Sequence, residues 1–167
     1  MLKKYFFALV LAITAIFPLA AEISFNSLAG SVQTFWSDTN GLPSNRILDV
    51  LQDGTGYIWL ASYDGLIRFD GETFTEFTEA EHGFTGVSPR VLCEDAYSTL
   101  WIGTNATGLY AYQNKIFKRY TEEDGLPNLS IRAIKFDKDN VLWVGTADGL
   151  ARLEKNGRFI PILDERD

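Results

Sequence analysis

Three tryptophans recur at a fixed interval of 42 residues, Trp59, Trp101 and Trp143, each in a short apolar run followed two places later by Ala61, Gly103 or Gly145. A period of this length marks a repeat architecture, in which one unit cannot bury its apolar surface alone and must stack on its neighbours. The register extends well beyond the indoles. Gly41, Gly83 and Gly125 keep the same spacing, as do Asp53, Asp95 and Asp137, and Ser62, Thr104 and Thr146. One residue is inserted in the middle copy, because Gly65-Leu66 recurs as Gly108-Leu109 and then Gly149-Leu150, and the copies are expected back in step by Phe117 and Phe159. Only a loop absorbs such a change cheaply.

Within the first copy, residues 46–52, 57–62, 65–69 and 73–78 read as strands, punctuated by the turns Asp53-Gly54-Thr55-Gly56 and Asp70-Gly71-Glu72. Four strands of about five or six residues, with connections of about four to six, fill such a unit and leave no room for a helix. The expected fold is therefore all-β, a partial β-propeller of three four-stranded antiparallel blades at 41–82, 83–124 and 125–167. Each twisted sheet has two apolar faces that only the sheets on either side can cover. An indole fills roughly 150 to 250 Å² of such a junction, and the small residue two places on lets the next sheet approach. A strictly periodic residue serves the architecture, so inter-blade packing takes precedence over sugar stacking for these tryptophans.

Residues 35–43 align with 119–127, the end of an outer strand and the linker into the next blade. Segment 22–40 is thus expected to carry an orphan outer strand, of the kind that closes a propeller ring by pairing with the last blade. The third copy runs to a blade boundary at Arg166. Closed rings have about four to eight blades, so further blades, or self-association, are expected to complete this one.

The N-terminus reads as a secretory signal peptide over 1–21: Lys3-Lys4, an apolar run at 5–17, and Pro18-Leu19-Ala20-Ala21 before Glu22. The run is short of the roughly 20 residues that span a bilayer, so no membrane span beyond the signal is expected, and the location expected is periplasmic or secreted. Removing Lys3 and Lys4 takes the formal net charge from −7 to −9. Nucleic acid and anionic membrane, both repelled by such a chain, are excluded as expected partners.

Enzyme chemistry finds few residues. His82, the one histidine, reads as a solvated linker residue, and Cys93, the one cysteine, as a reduced, partly buried thiol without a disulfide partner. Asp53, Asp95 and Asp137 open the turn after the first strand, where an Asp carboxylate accepts backbone amides two residues on. Calcium is the competing reading, through Asp137-Lys138-Asp139-Asn140, but the other copies lack its second carboxylate. No metal, no cofactor and no catalysis are expected.

Gly41-Leu42-Pro43-Ser44-Asn45 followed by Asp53-Gly54-Thr55-Gly56-Tyr57-Ile58-Trp59-Leu60, together with Leu142-Trp143-Val144-Gly145-Thr146-Ala147-Asp148-Gly149-Leu150, resembles the two-component regulator propeller repeat. The resemblance spans 34–163, with the first copy departing to Trp-Leu-Ala-Ser and the second to Gly-Phe-Thr. It implies the extracytoplasmic sensor region of hybrid histidine kinases or related diguanylate cyclases. It further implies a periplasmic ligand, often a glycan, and signalling by a shift in sensor population. Ligand contacts are expected on the connections between second and third strands, at Tyr63, Asp64, Asn105 and Asp148, where an aromatic beside hydrogen-bonding groups suits a sugar. Turn formation explains Asp64 and Asp148 equally well. Two other readings are a stand-alone periplasmic scaffold that binds protein or glycan and a fragment of a propeller-type polysaccharide-active enzyme. The latter would need paired carboxylates, for which Glu79 and Glu81 have no identifiable partner.

Overall fold

The computed structural model describes residues 34–162. The signal-peptide expectation at 1–21 and the first part of segment 22–40 lie outside the described residues, as do residues 163–167. Twelve strands are described, forming three antiparallel meanders. The first sheet contains β1 (Ile47–Gln52), β2 (Ile58–Ser62), β3 (Leu66–Phe69) and β4 (Phe74–Phe77). The second contains β5 (Pro89–Glu94), β6 (Leu100–Thr104), β7 (Leu109–Gln113) and β8 (Ile116–Tyr120). The third contains β9 (Ile131–Phe136), β10 (Leu142–Thr146), β11 (Gly149–Leu153) and β12 (Phe159–Ile162). The first strands lie side by side, β5 against both β1 and β9. This is the all-β, partial-propeller arrangement of three four-stranded blades.

The middle sheet shows why the repeat folds this way. Its residues alternate between two junctions at the strand period of two. Leu92, Leu100, Ile102, Tyr110, Tyr112 and Phe117 join the core shared with the first sheet. Val91, Cys93, Trp101, Leu109, Ala111 and Tyr120 join the core shared with the third. Trp59 and Trp101 are buried in these layers, whereas Trp143, on the face of the third sheet that no described sheet covers, is half-buried. On that same face Leu150, Ile160 and Ile162 are exposed. The small residue after the indole has the predicted effect at Gly103: an added Cβ would stand 2.6 Å from Ile131 Cγ2.

Aromatic rings pass the packing from one sheet to the next. Phe77, at the end of β4, meets Tyr112 and Phe117 of the second sheet at 5.6 and 6.0 Å between centroids. Tyr120, at the end of β8, meets Phe159 of the third at 5.5 Å. Trp36 takes the same place ahead of the first sheet, edge-on to Phe69 and Phe74 at 5.7 and 5.3 Å. Residues 34–37, from the segment expected to form the orphan outer strand, join no ladder among the described residues. The indole of Trp36 nevertheless sits where the outer-strand aromatic of a preceding blade would sit.

Two details differ from the sequence expectation. A single helical turn, α1 (Glu79–His82), and a 3-10 turn at Glu122–Asp124 occupy the linkers, capped by Thr78 and Thr121 and ended by Gly83 and Gly125 in the left-handed region. The room denied to a helix inside a blade exists between blades. The inserted residue is also not recovered by Phe117. Leu66 pairs with Phe77 and Leu109 with Tyr120, so the shift persists through the outer strand. It is cancelled where the four residues of α1 give way to the three of the 3-10 turn, because ladder pairing locks register within a sheet and only the linker is free to differ.

Candidate functional site

Each sheet places its second-to-third-strand connection beside the linker entering its own first strand. The amides of Tyr63, Asn105 and Ala147 donate to the carbonyls of Arg46, Ser88 and Ser130. Adjacent sheets meet here as well: Ser88 Oγ donates to the Tyr63 carbonyl at 3.0 Å, and the Gly108 amide to the Leu129 carbonyl at 2.9 Å. The three connections that carry the expected ligand residues therefore form one continuous surface, hydrogen-bonded from blade to blade.

The side chains on this surface are braced by residues of the linkers and of β5 that the sequence pattern did not single out. Asp64 accepts from Ser44 Oγ and Arg46 Nη2, both at 2.6 Å. The Ser44 hydroxyl, followed by the Arg46 guanidinium, holds the Asp64 carboxyl below its ordinary pKa. Asn105 accepts from Arg90 Nη1 at 2.8 Å, and Asp148 from Asn128 Nδ2 at 2.7 Å. Arg90 reaches Asn105 from a bulge in the β5–β6 ladder between Pro89 and Val91, the kind of irregularity that re-aims a side chain. Ser44 and Asn128 share a register two periods apart, a signal visible in the sequence. Arg46 and Arg90 do not, which is why spacing missed them.

Tyr63 is about half exposed, with the Arg46 guanidinium 5.0 Å from its ring centroid. Its hydroxyl makes no hydrogen bond among the described residues, unlike that of Tyr110, which bonds Thr85 at 3.0 Å. Asp64 also lines a cleft of about 190 Å³ with Ser44, Glu76 and Thr78. The surface thus offers an oriented aromatic ring beside paired amide and carboxylate groups, suited to binding hydroxyl-rich ligands through stacking and hydrogen bonds.

The repeated aspartates lie at the opposite ends of the sheets. In each copy one carboxylate oxygen accepts the amides two and four residues on, and the other accepts the indole N–H of the repeated tryptophan. These indole bonds are Trp59 to Asp53 at 2.7 Å, Trp101 to Asp95 at 3.1 Å and Trp143 to Asp137 at 2.8 Å. At Asp53 burial opposes ionisation, but bonds from Thr55 and Trp59 outweigh it and lower the pKa. At Asp137 the Trp143 bond and the Val141 amide do the same. Both oxygens of Asp137 thus accept N–H groups of its own turn and hairpin, the hydrogen-bonded turn that competes with the calcium reading of 137–140. Among the described residues no group of three or more His, Cys, Asp or Glu is placed to hold a metal ion, and no helix is long and apolar enough to cross a membrane.

His82 departs from the solvated residue expected. It closes α1, stacks on Phe77 at 4.4 Å, and its Nδ1 accepts the Thr78 amide at 3.3 Å. Cys93 is a free thiol packed against the Trp101 layer, and burial raises its pKa.

Fold and surface together define a β-propeller segment with one continuous face made of loops. Comparison with known proteins narrows the class. The family model of the two component regulator propeller matches residues 41–64 and 125–148; the second copy, with Gly83-Phe84-Thr85 in place of Gly-Leu-Pro, folds into the same four strands. The chain belongs to the two-component regulator propeller repeat family. Histidine kinase P4 of Formosa agariphila is 34% identical over 134 residues, covering 75% of this chain and 10% of the kinase. The extracellular domain of the hybrid two component system BT3049 of B. thetaiotaomicron is 27% identical with a TM-score of 0.66, covering 77% of this chain and 20% of that domain. Virginiamycin B lyase from Staphylococcus aureus, 16% identical with a TM-score of 0.60, covers 83% of this chain and 47% of the lyase and shares the fold alone. The chain spans about a tenth of the length of its kinase relative.

Proposed function

We propose that this chain is a non-catalytic, ligand-sensing propeller segment of an extracytoplasmic two-component sensor, with the ligand on the surface formed by Tyr63, Asp64, Asn105 and Asp148. One observation carries the reading: an exposed Tyr63 ring, its hydroxyl unengaged among the described residues, is fixed under Arg46 beside braced polar side chains. The likeness to an extracellular domain of a hybrid two component system supports placing it outside the cytoplasm. A glycan or other small polar ligand fits the chemistry, since a ring face stacks on a sugar while carboxylate and amide groups take its hydroxyls. The exposed Leu150, Ile160 and Ile162 on the third sheet favour a further blade, or a second copy, as the neighbour that continues the ring.

The test is a two-dimensional NMR titration of the whole chain with a panel of neutral oligosaccharides. The expected result is saturable shifts at Tyr63 and Asn105, with Tyr63→Ala weakening the binding about tenfold, the cost of losing one well-placed aromatic contact. Binding unchanged in both Tyr63→Ala and Asn105→Ala would overturn the assignment.

A further inference from the structure

Away from that surface, the outer rim of the first junction holds a cleft of about 300 Å³ lined by Arg68, Phe77, Glu81, His82, Tyr112 and Lys115. Its chemistry runs against the acidic character of the chain. Arg68 lies over the rings of Tyr57 at 4.3 Å, Phe77 at 5.5 Å and Trp59 at 5.7 Å. It donates no hydrogen bond and joins no ion pair among the described residues.

The missing counter-ion has a structural cause. Arg152 holds the equivalent place opposite Trp143, as Arg68 does opposite Trp59, and is paired with Glu154 at 2.9 Å, two residues on. Asp70 stands two residues after Arg68, but its oxygens accept the Thr73 and Glu72 amides and the Thr73 hydroxyl of its own turn. A guanidinium laid flat on aromatic faces keeps its N–H edge for a planar, bidentate acceptor.

The other donors converge on the same space. Lys115 is the second residue of the two-residue β7–β8 turn, with φ of 51° at Asn114 and 64° at Lys115. Glycine is the residue such a turn favours there, and a lysine bears a backbone penalty that glycine would not. That cost leaves an ammonium on the cleft wall. The Thr78 amide occupies His82 Nδ1, so the neutral ring carries its proton on Nε2 and acts as a donor. Glu81, with its carboxylate 4.0 Å from His82 Nδ1, offsets one of the two permanent positive charges and leaves a balance that suits a monoanion.

We propose that this rim cleft is a binding site for a small organic monocarboxylate, the carboxylate held by Arg68, Lys115 and His82 and the body of the ligand lying against Tyr112 and Phe77. The site is separate from the surface around Tyr63 and stands or falls independently of it.

The experiment is an NMR titration of the whole chain with benzoate, and with benzyl alcohol as the uncharged match. Benzoate is expected to shift the Arg68, His82 and Lys115 resonances saturably in the millimolar range, leaving Tyr63 and Asn105 in place, while benzyl alcohol shifts neither set. Arg68→Gln is expected to weaken benzoate at least about tenfold through loss of the bidentate pair. Lys115→Gly relaxes the turn and is expected to raise the melting temperature while weakening benzoate, a combination that a purely structural lysine cannot produce. Equal responses to benzoate and benzyl alcohol, no saturable shift, or undiminished affinity in Lys115→Gly would overturn the proposal. The last readout stands even where Arg68→Gln fails to fold.

Discussion

Replacing Asp53 tests the joint on which each blade turns. Its carboxylate accepts four bonds: from the Thr55 amide at 2.9 Å, the Thr55 hydroxyl at 2.6 Å, the Tyr57 amide at 3.0 Å and the Trp59 indole at 2.7 Å. Trp59 is 2% exposed, so water replaces the lost acceptor poorly at the indole, whereas Thr55 is exposed and readily resolvated. A stranded buried donor costs about 1 to 3 kcal/mol, and each ordinary bond nets about 1; with partial recovery at Thr55, Asp53→Ala should lose about 3 kcal/mol. Asp53→Asn keeps an oxygen for the two amides but turns an NH₂ toward the indole, and should lose about half as much. For a folded unit of this size these correspond to drops in melting temperature of about 10 °C and 5 °C. Calorimetry supplies the stability, and hydrogen exchange at the Trp59 indole separates the local from the global effect. If Asp53→Asn melted with the parent chain and the Trp59 indole proton exchanged no faster, the indole bond would have no part in holding the blade.

Three further outcomes are expected. Gly103→Ala forces a Cβ to within 2.6 Å of Ile131 Cγ2 and Val91 Cγ1 and should cost about 1 to 3 kcal/mol by overpacking, whereas Gly145→Ala meets Ala133 at ordinary contact distances of 3.5 and 3.8 Å and should be neutral or slightly stabilising; thermal melts of the pair decide it. Asp53, Asp64, Asp70 and Asp137 are all held below their ordinary pKa, Asp70 at about 2 by the Thr73 and Glu72 amides. Their stabilising effect is therefore present above about pH 4 and fades as pH falls toward 2, so stability measured by denaturant titration should decline across that interval, less steeply in Asp70→Asn. Asp49 Oδ2 accepts the Leu92 amide across the first junction at 2.8 Å; Asp49→Ala should speed exchange of that amide by about tenfold or more, the kinetic equivalent of about 1.4 kcal/mol, and an unchanged rate would show the bond to be idle.

The architecture was legible because it is written redundantly. Trp59, Trp101 and Trp143 announce the period, and alternation within each copy announces strands, since a residue that must face one neighbour at every second position leaves little freedom to the sequence. What was hidden lies where two chemically different demands fall on one residue. Asp53, Asp95 and Asp137 read as turn formers, and they are, but the six-residue distance to each indole encodes a second bond that only the folded hairpin brings into reach. His82 looked solvated because nothing local says that a linker turn folds it onto Phe77. The bracing of Tyr63 by Arg46 and of Asn105 by Arg90 was invisible for the opposite reason: these contacts differ from copy to copy, so periodicity carries no trace of them.

The two junctions are closed by different means, and this bears on where a ligand can act. Between the second and third sheets the seal is largely aliphatic, built from Ile131, Ile134, Val144 and Leu109, with Ile131 seated where Gly103 gives it room. Between the first and second it is aromatic, with Trp59, Phe77, Phe84, Tyr110, Tyr112 and Phe117 meeting edge-on or tilted. Polar bridges cross that seal from Leu92 to Asp49, Gly54 to Glu94 and Ser88 to Tyr63. Rings packed edge-on bury much area yet leave gaps where the sheets diverge at the rim, and one such gap is the Arg68 cleft. Glycine-backed aliphatic packing resists displacement because any movement opens a void. A ligand shifts such a junction only if it contacts two arrangements of it differently. Both the Tyr63 surface and the Arg68 cleft touch this first junction, so a signal read by this segment would be expressed as a change in how its first blade sits against its second.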